Sequence, residues 1–151
     1  MGTQIYQIVN EIVDTLEKYG HDPLPSNERT GSMWFKESQE IVYNRQMPKG
    51  KVYFDTMIPD ERTHGSNFTE LKTYILNCVF FTKKSDKCQT TNKKDRELVQ
   101  YMLQNIEDTL KTHKIPSATL IGFGEVDGPI PYDKTNNVFV GVKPVTYVKR
   151  E

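Results

Sequence analysis

Three residues carry the most suggestive chemical pattern in the chain: Asp60, preceded by Pro59, and Glu70 with Lys72 a short way downstream. Two converging carboxylates would hold a magnesium ion, and a lysine beside them would steady an attacking water or a phosphate. That chemistry is phosphodiester hydrolysis. The surroundings argue against it. The stretch from Pro59 to Asn67 consists mainly of turn formers and polar residues, which reads as a mobile loop, whereas catalytic carboxylates need neighbours that brace them. Glu70 falls outside the apolar part of the strand that follows, and a chain with 26% charged residues produces such triplets by composition alone.

Other chemistry is weaker still. His21, His64 and His113 lie far apart in polar or turn contexts, with no His-x-His or His-x-x-x-His pair to ligate a metal. Ser66 and Ser117 lack the Gly-x-Ser-x-Gly elbow of an activated nucleophile. Cys78 sits in an apolar run and reads as an inert, buried thiol; Cys88 sits in a polar loop. Gly122-Phe123-Gly124 lacks the third glycine, having Asp127 there, and no helical pattern follows to hold a phosphate at its N-terminus. A turn between two strands is the better reading. The expectation is a chain with no catalytic site, no cofactor and no metal.

A basic and aromatic region offers binding instead. Arg29, Trp34, Phe35, Lys36, Tyr43, Arg45, Lys49, Lys51, Tyr53 and Phe54 would suit a stacking platform for nucleic acid. Glu28, Glu37, Glu40 and Asp55 interleave with them and offset the charge. Aromatics and arginine among mixed charges match a protein interface better. The binding residues expected on that basis are Trp34, in its own β-prone run, and Tyr43, Arg45, Lys49, Lys51 and Tyr53, on an extended hairpin from Ile41 to Asp55 that turns at Pro48-Lys49-Gly50 and reaches outward.

The elements that would position these residues follow from periodicity. Ile5, Ile8, Val9, Ile12, Val13, Leu16 and Tyr19 recur at steps of three and four, which predicts a helix with one apolar face, capped by Thr3 and ended by Gly20 with positive φ. Met33-Trp34-Phe35, Ile41-Val42-Tyr43 and Val52-Tyr53-Phe54 are short β-prone runs. Leu71 to Phe81 predicts a central strand, because both of its alternating faces become apolar. A second helix starts near Asn92, with Asp95 in a capping arrangement, and buries Leu98, Val99, Met102, Ile106 and Leu110; Pro116 limits its end. Ala118 to Phe123 predicts a strand. Gly122, Gly124, Gly128, Pro129 and Pro131 predict a turn, and Val138 to Val148 a long final strand.

The sum is an α+β fold, two helices packed on a mostly antiparallel or mixed sheet with an extended hairpin, in a single domain spanning 1–151. At 151 residues and 36% hydrophobic content the chain can bury one ordinary core. Lys plus Arg and Asp plus Glu are equal at 20 each, which removes any overall drive toward nucleic acid and predicts no specific nucleic-acid partner. No basic flank precedes an apolar stretch and no run approaches a membrane span, so the expectation is a protein made in the cytoplasm, without a membrane partner.

The C-terminal run Gly128-Pro129-Ile130-Pro131-Tyr132-Asp133-Lys134-Thr135-Asn136-Asn137-Val138-Phe139-Val140-Gly141-Val142 resembles the end of tail terminator (tail completion) proteins of long-tailed bacteriophages. In that family a Gly-Pro-x-Pro-like turn and an acidic, Asn-rich linker lead into a last strand ending in an aromatic residue, here Tyr147. The order of elements is similar along the whole chain, and the detail is confined to the last stretch. The resemblance implies a virion protein that forms a homo-oligomeric ring, commonly hexameric, on the tail tube protein, ends tail growth and offers the head–tail connector proteins a surface for head–tail joining. It also marks Gly128, Pro129, Pro131 and Asp133 as a family turn. Two alternatives stand beside it: another head–tail neck component, and a metal-dependent nuclease, whose Pro-Asp…Glu-x-Lys pattern Pro59-Asp60 and Glu70-Leu71-Lys72 resemble.

Overall fold

The computed structural model describes residues 2–20, 33–36, 49–59, 71–83, 95–133 and 138–150. Apolar periodicity builds both helices as the sequence predicts. Helix α1 (Gly2–Tyr19) buries Ile8, Val9, Ile12, Val13 and Leu16, and α2 (Asp95–Thr112) buries Leu98, Val99, Met102, Leu103, Ile106 and Leu110. Thr3 lies inside α1 and Asn92 lies outside the described residues. Gly20 accepts the helix end without positive φ: its N–H donates to the Leu16 carbonyl at 2.9 Å, and a Cβ there would collide with that same oxygen. Tyr19, expected in the apolar stripe, is exposed. It lies past the last turn that meets the core, where its ring stacks on His113 with centroids 3.6 Å apart.

The sheet is mixed. Its strands are β1 (Trp34–Phe35), β2 (Lys49–Pro59), β3 (Leu71–Lys83), β4 (Thr119–Phe123), β5 (Asp127–Asp133) and β6 (Val138–Arg150). The order is β1-β2-β3-β6-β4, with β5 also on β6. β1 runs parallel to β2, and every other pair is antiparallel. The long strand β3 is central, as its composition predicts, and Cys78, Val79, Phe80, Phe81 and Thr82 are all buried.

Both helices pack on one face of this sheet. Tyr74, Leu76, Cys78 and Phe80 of β3 and Val145 and Tyr147 of β6 meet them there, with Trp34 and Val52. On the other face Val79, Phe81, Val138 and Val140 form a second buried cluster, joined by Tyr53 and Val142.

Two expectations are corrected by this topology. Lys49 and Gly50 do not form a turn; they are the first residues of β2, and the antiparallel partner of β2 is β3. The run from Ile41 to Tyr43 lies outside the described residues. Likewise the stretch containing Gly128, Pro129, Pro131 and Asp133 is not a turn but the strand β5, whose register against β6 shifts on both sides of the Ile130–Pro131 pairs. Proline cannot donate to a ladder and is tolerated at sheet edges and bulges, so a Gly-Pro-x-Pro sequence can still be an irregular edge strand. Gly128 makes this possible with φ at 97°, where a Cβ would also crowd the Val140 carbonyl at 2.7 Å.

Candidate functional site

The expected interface residues do not form one surface. Trp34 is no outward anchor. It is 2% exposed, its ring lies over Gly50 and 6.0 Å from the Phe80 ring, and its backbone N–H donates to the Glu17 carboxylate of α1. Lys49 and Lys51 are also buried, on the face away from the helices. Their ammonium groups sit 5.9 Å from the Phe35 ring and 5.1 Å from the Tyr53 ring. Half-buried Tyr53 packs against the second cluster. These side chains serve the fold because β2 is an interior strand along its first residues. Tyr43 and Arg45 lie outside the described residues.

The same holds for most of the hydrolytic pattern. Asp60 and Glu70 lie outside the described residues, while Lys72 stands on β3 directly across from Pro59. Among the described residues no three His, Cys, Asp or Glu side chains gather to hold a metal ion. Cys78 is fully buried, and burial pushes its thiol up to about 12, which suppresses the reactive thiolate.

What the sheet does expose lies at its two margins. β1 covers β2 only at Gly50 and Lys51, so from Val52 onward β2 has a strand neighbour on the β3 side alone among the described residues. Met57 and Ile58 project there, Ile58 with half its surface open. At the opposite margin β4 and β5 share one side of β6, β4 against Val145–Val148 and β5 against Val138–Val142. This margin exposes Ile121 (60%), Val126 and Ile130 (51%).

Register shows how the margins relate. Ile58 pairs with Thr73, Thr73 with Val148, and Val148 with Thr119. Phe54 pairs with Leu76, Leu76 with Val145, and Val145 with Phe123. The open half of β2 and the whole of β4 therefore lie at one level, on opposite sides of a four-strand span about 14 Å wide. β1 and β5 occupy the other level.

No known protein family matches the chain, and no curated protein matches it either.

The β4 margin is held by a charged cluster beneath it. Lys143 of β6, nearly buried, reaches the Glu107 carboxylate of α2 at 2.9 Å, and Lys111 joins at 3.4 Å. Both ammonium groups also approach the Phe123 ring of β4, at 5.5 and 5.8 Å. The Lys143 hydrogen bond, seconded by Gln104 and Lys111, holds Glu107 below the usual carboxylate range against the opposing effect of desolvation. Near Ser117, the Glu11 side chain of α1 accepts both the Ser117 N–H, at 2.8 Å, and its hydroxyl. These contacts fix β4 relative to both helices.

Sequence reasoning missed the margin residues Met57, Ile58, Ile121, Val126 and Ile130. Ile121 looks like an ordinary strand hydrophobe, Met57 and Ile58 follow a short β-prone run, and Val126 and Ile130 fall in the expected turn; only strand order reveals that they stay uncovered.

Proposed function

We propose that the chain is a structural subunit of a bacteriophage tail, a tail terminator that closes into a ring on the tail tube and joins it to the head connector. Its lateral contact is edge to edge, the open half of β2 in one copy meeting β4 of the next. One observation carries this reading: the sheet has two unlike margins at the same level, each bearing exposed apolar side chains. Head-to-tail association needs two different complementary surfaces on one subunit. Unpaired strand edges are the parts of a sheet most ready to pair with another chain. The resemblance of Gly128–Val142 to tail terminators supplies the biological setting.

The test is native mass measurement of the purified protein, alone and mixed with tail tube protein. Closed rings are expected in at least the mixture, and Ile121→Lys should abolish them while the monomer stays folded, because the side chain is already in water. A protein that remains monomeric in both samples at high concentration refutes the proposal. Association with a head connector but never with the tube would make it another neck component.

A further inference from the structure

Each open margin carries one irregularity. On β2, Phe54 pairs with Leu76 and Thr56 with Ile75, so Asp55 is an extra residue against β3. On β4, Leu120 pairs with Tyr147 and Gly122 with Thr146, so Ile121 is an extra residue against β6. A bulge bends its strand, and bulged edges are one means by which a sheet refuses a stray, straight strand.

Across the molecule the two bulges cancel. Phe54 to Ile58 of β2 run along Leu76 to Thr73 of β3, these pair with Val145 to Val148 of β6, and those in turn pair with Phe123 to Thr119 of β4. Both margins therefore fit the same length of chain, one extra residue included, along the same stretch of interior. Laid side by side in antiparallel sense they match without a break, from Phe54 opposite Phe123 to Ile58 opposite Thr119, with Asp55 facing Gly122 and Thr56 facing Ile121. The faces agree as well: Phe54, Leu120 and Phe123 pack on the helix-side core, and Met57, which would face Leu120, pairs with Tyr74 of that core. A bulge in one margin alone would put the ladder out of step by a residue and turn the side chains beyond it to the opposite face.

Gly122 is a separate observation. Glycine weakens a strand, its φ here is not positive, and a Cβ would meet nothing within 4 Å among the described residues. The close approach of another backbone is a usual reason for a strand glycine. We infer that the occupant of the open β2 margin is β4 of a second copy in this one register, the two bulged edges joining as an unbroken antiparallel ladder. The inference rests on the ring reading above and adds to it which residues face each other.

Thr56 and Ile121 are both exposed and would be directly opposite, with Cβ atoms about 5 Å apart. In a Cys88→Ser background, under the conditions in which the parent associates, a mixture of Thr56→Cys and Ile121→Cys copies should give a disulfide-linked dimer on mild oxidation. Neither variant alone should link, because its cysteines all lie on like margins. Ile58→Cys in place of Thr56→Cys moves the pair to a diagonal of about 7–8 Å and should lose most of the product. Charge gives a second measure that serves if a cysteine variant fails to fold. Gly122→Asp should weaken association by up to about fivefold and Gly122→Lys should strengthen it on the same scale, and both effects should vanish with Asp55→Asn. Association of the parent without the Thr56–Ile121 link, equal linking by the diagonal pair, linking within either variant alone, or charge effects indifferent to Asp55 overturns this register and leaves the ring reading standing. A parent that never associates overturns both.

Discussion

Gly50→Ala is the most demanding test of this fold, because one methyl group decides it. A Cβ on Gly50 would overlap Cζ3 and Cε3 of the Trp34 ring and come 2.7 Å from Cη2. The indole cannot simply lift away. Trp34 is 2% exposed, its ring is tilted against Phe80, its backbone N–H is tied to Glu17, and the carbonyl of the preceding Met33 accepts the Gly50 N–H. Overpacking of this kind costs about 1–3 kcal/mol. Losing a glycine from the unfolded chain returns about 0.4–1 kcal/mol, which is smaller. The net expectation is destabilisation by about 1–2 kcal/mol, or about 2–8 °C in melting temperature for a domain of this size. Trp34 is the only tryptophan, so its fluorescence reports the site directly: emission at short wavelength in the parent and a red shift in the variant. In a Trp34→Leu background the clash has no ring to meet, and Gly50→Ala should become neutral or stabilising. A full-sized penalty in that background, or a parent spectrum typical of a water-exposed indole, would refute the reasoning.

Two further outcomes follow from the charged cluster and the buried thiol. Glu107→Gln leaves the nearly buried Lys143 ammonium without its counter-charge and should cost about 1–3 kcal/mol in denaturant melts at neutral pH. Because the folded Glu107 lies below its ordinary value of 4.5, its stabilisation is complete above that value and fades as pH falls through the folded one, so the variant should lose less stability than the parent on acidification. In a Cys88→Ser background, alkylation of Cys78 by iodoacetamide should proceed only as fast as the protein opens, since the thiol is fully buried and held at about 12; rapid labelling of folded protein would contradict that.

Periodicity made the helices legible, and a run apolar on both faces made β3 legible, because each depends on spacing within one segment. The losses came where distant segments meet. Gly50 reads locally as a turn former, yet it is glycine because Trp34, in a separate strand, lies over it. Trp34 reads as an interface anchor for the same reason: its type suits either role, and only the β1–β2 pairing assigns it to the core. Pro129 and Pro131 read as chain breakers, and β5 exists because β6 offers a side on which an incomplete ladder is tolerable. Tyr19 kept the helical period after the helix had run past the core. Of the binding residues named from composition, the described ones Trp34, Lys49 and Lys51 lie in the interior and Tyr53 is half-buried, while the exposed aliphatics at the margins carried no local mark.

The strand directions constrain what an edge-to-edge contact would build. β2 is antiparallel to β3, β3 to β6, and β6 to β4, so β4 runs opposite to β2. Copies related by rotation about an axis along the strands would therefore join β4 of one to β2 of the next as an antiparallel pair, continuing the existing ladder. β4 is free of proline, and β2 carries one only at its last residue, Pro59, so both edges keep their donors across the junction. β5, with two prolines, is poorly suited to such a ladder, and it lies at the level where β1 already covers β2. The level of the two open edges matters most. An axial offset between them would make each added copy climb, and the product would be a helical filament. Phe54 and Ile58 stand level with Phe123 and Thr119 along the pairing, which removes that offset and favours closure into a ring.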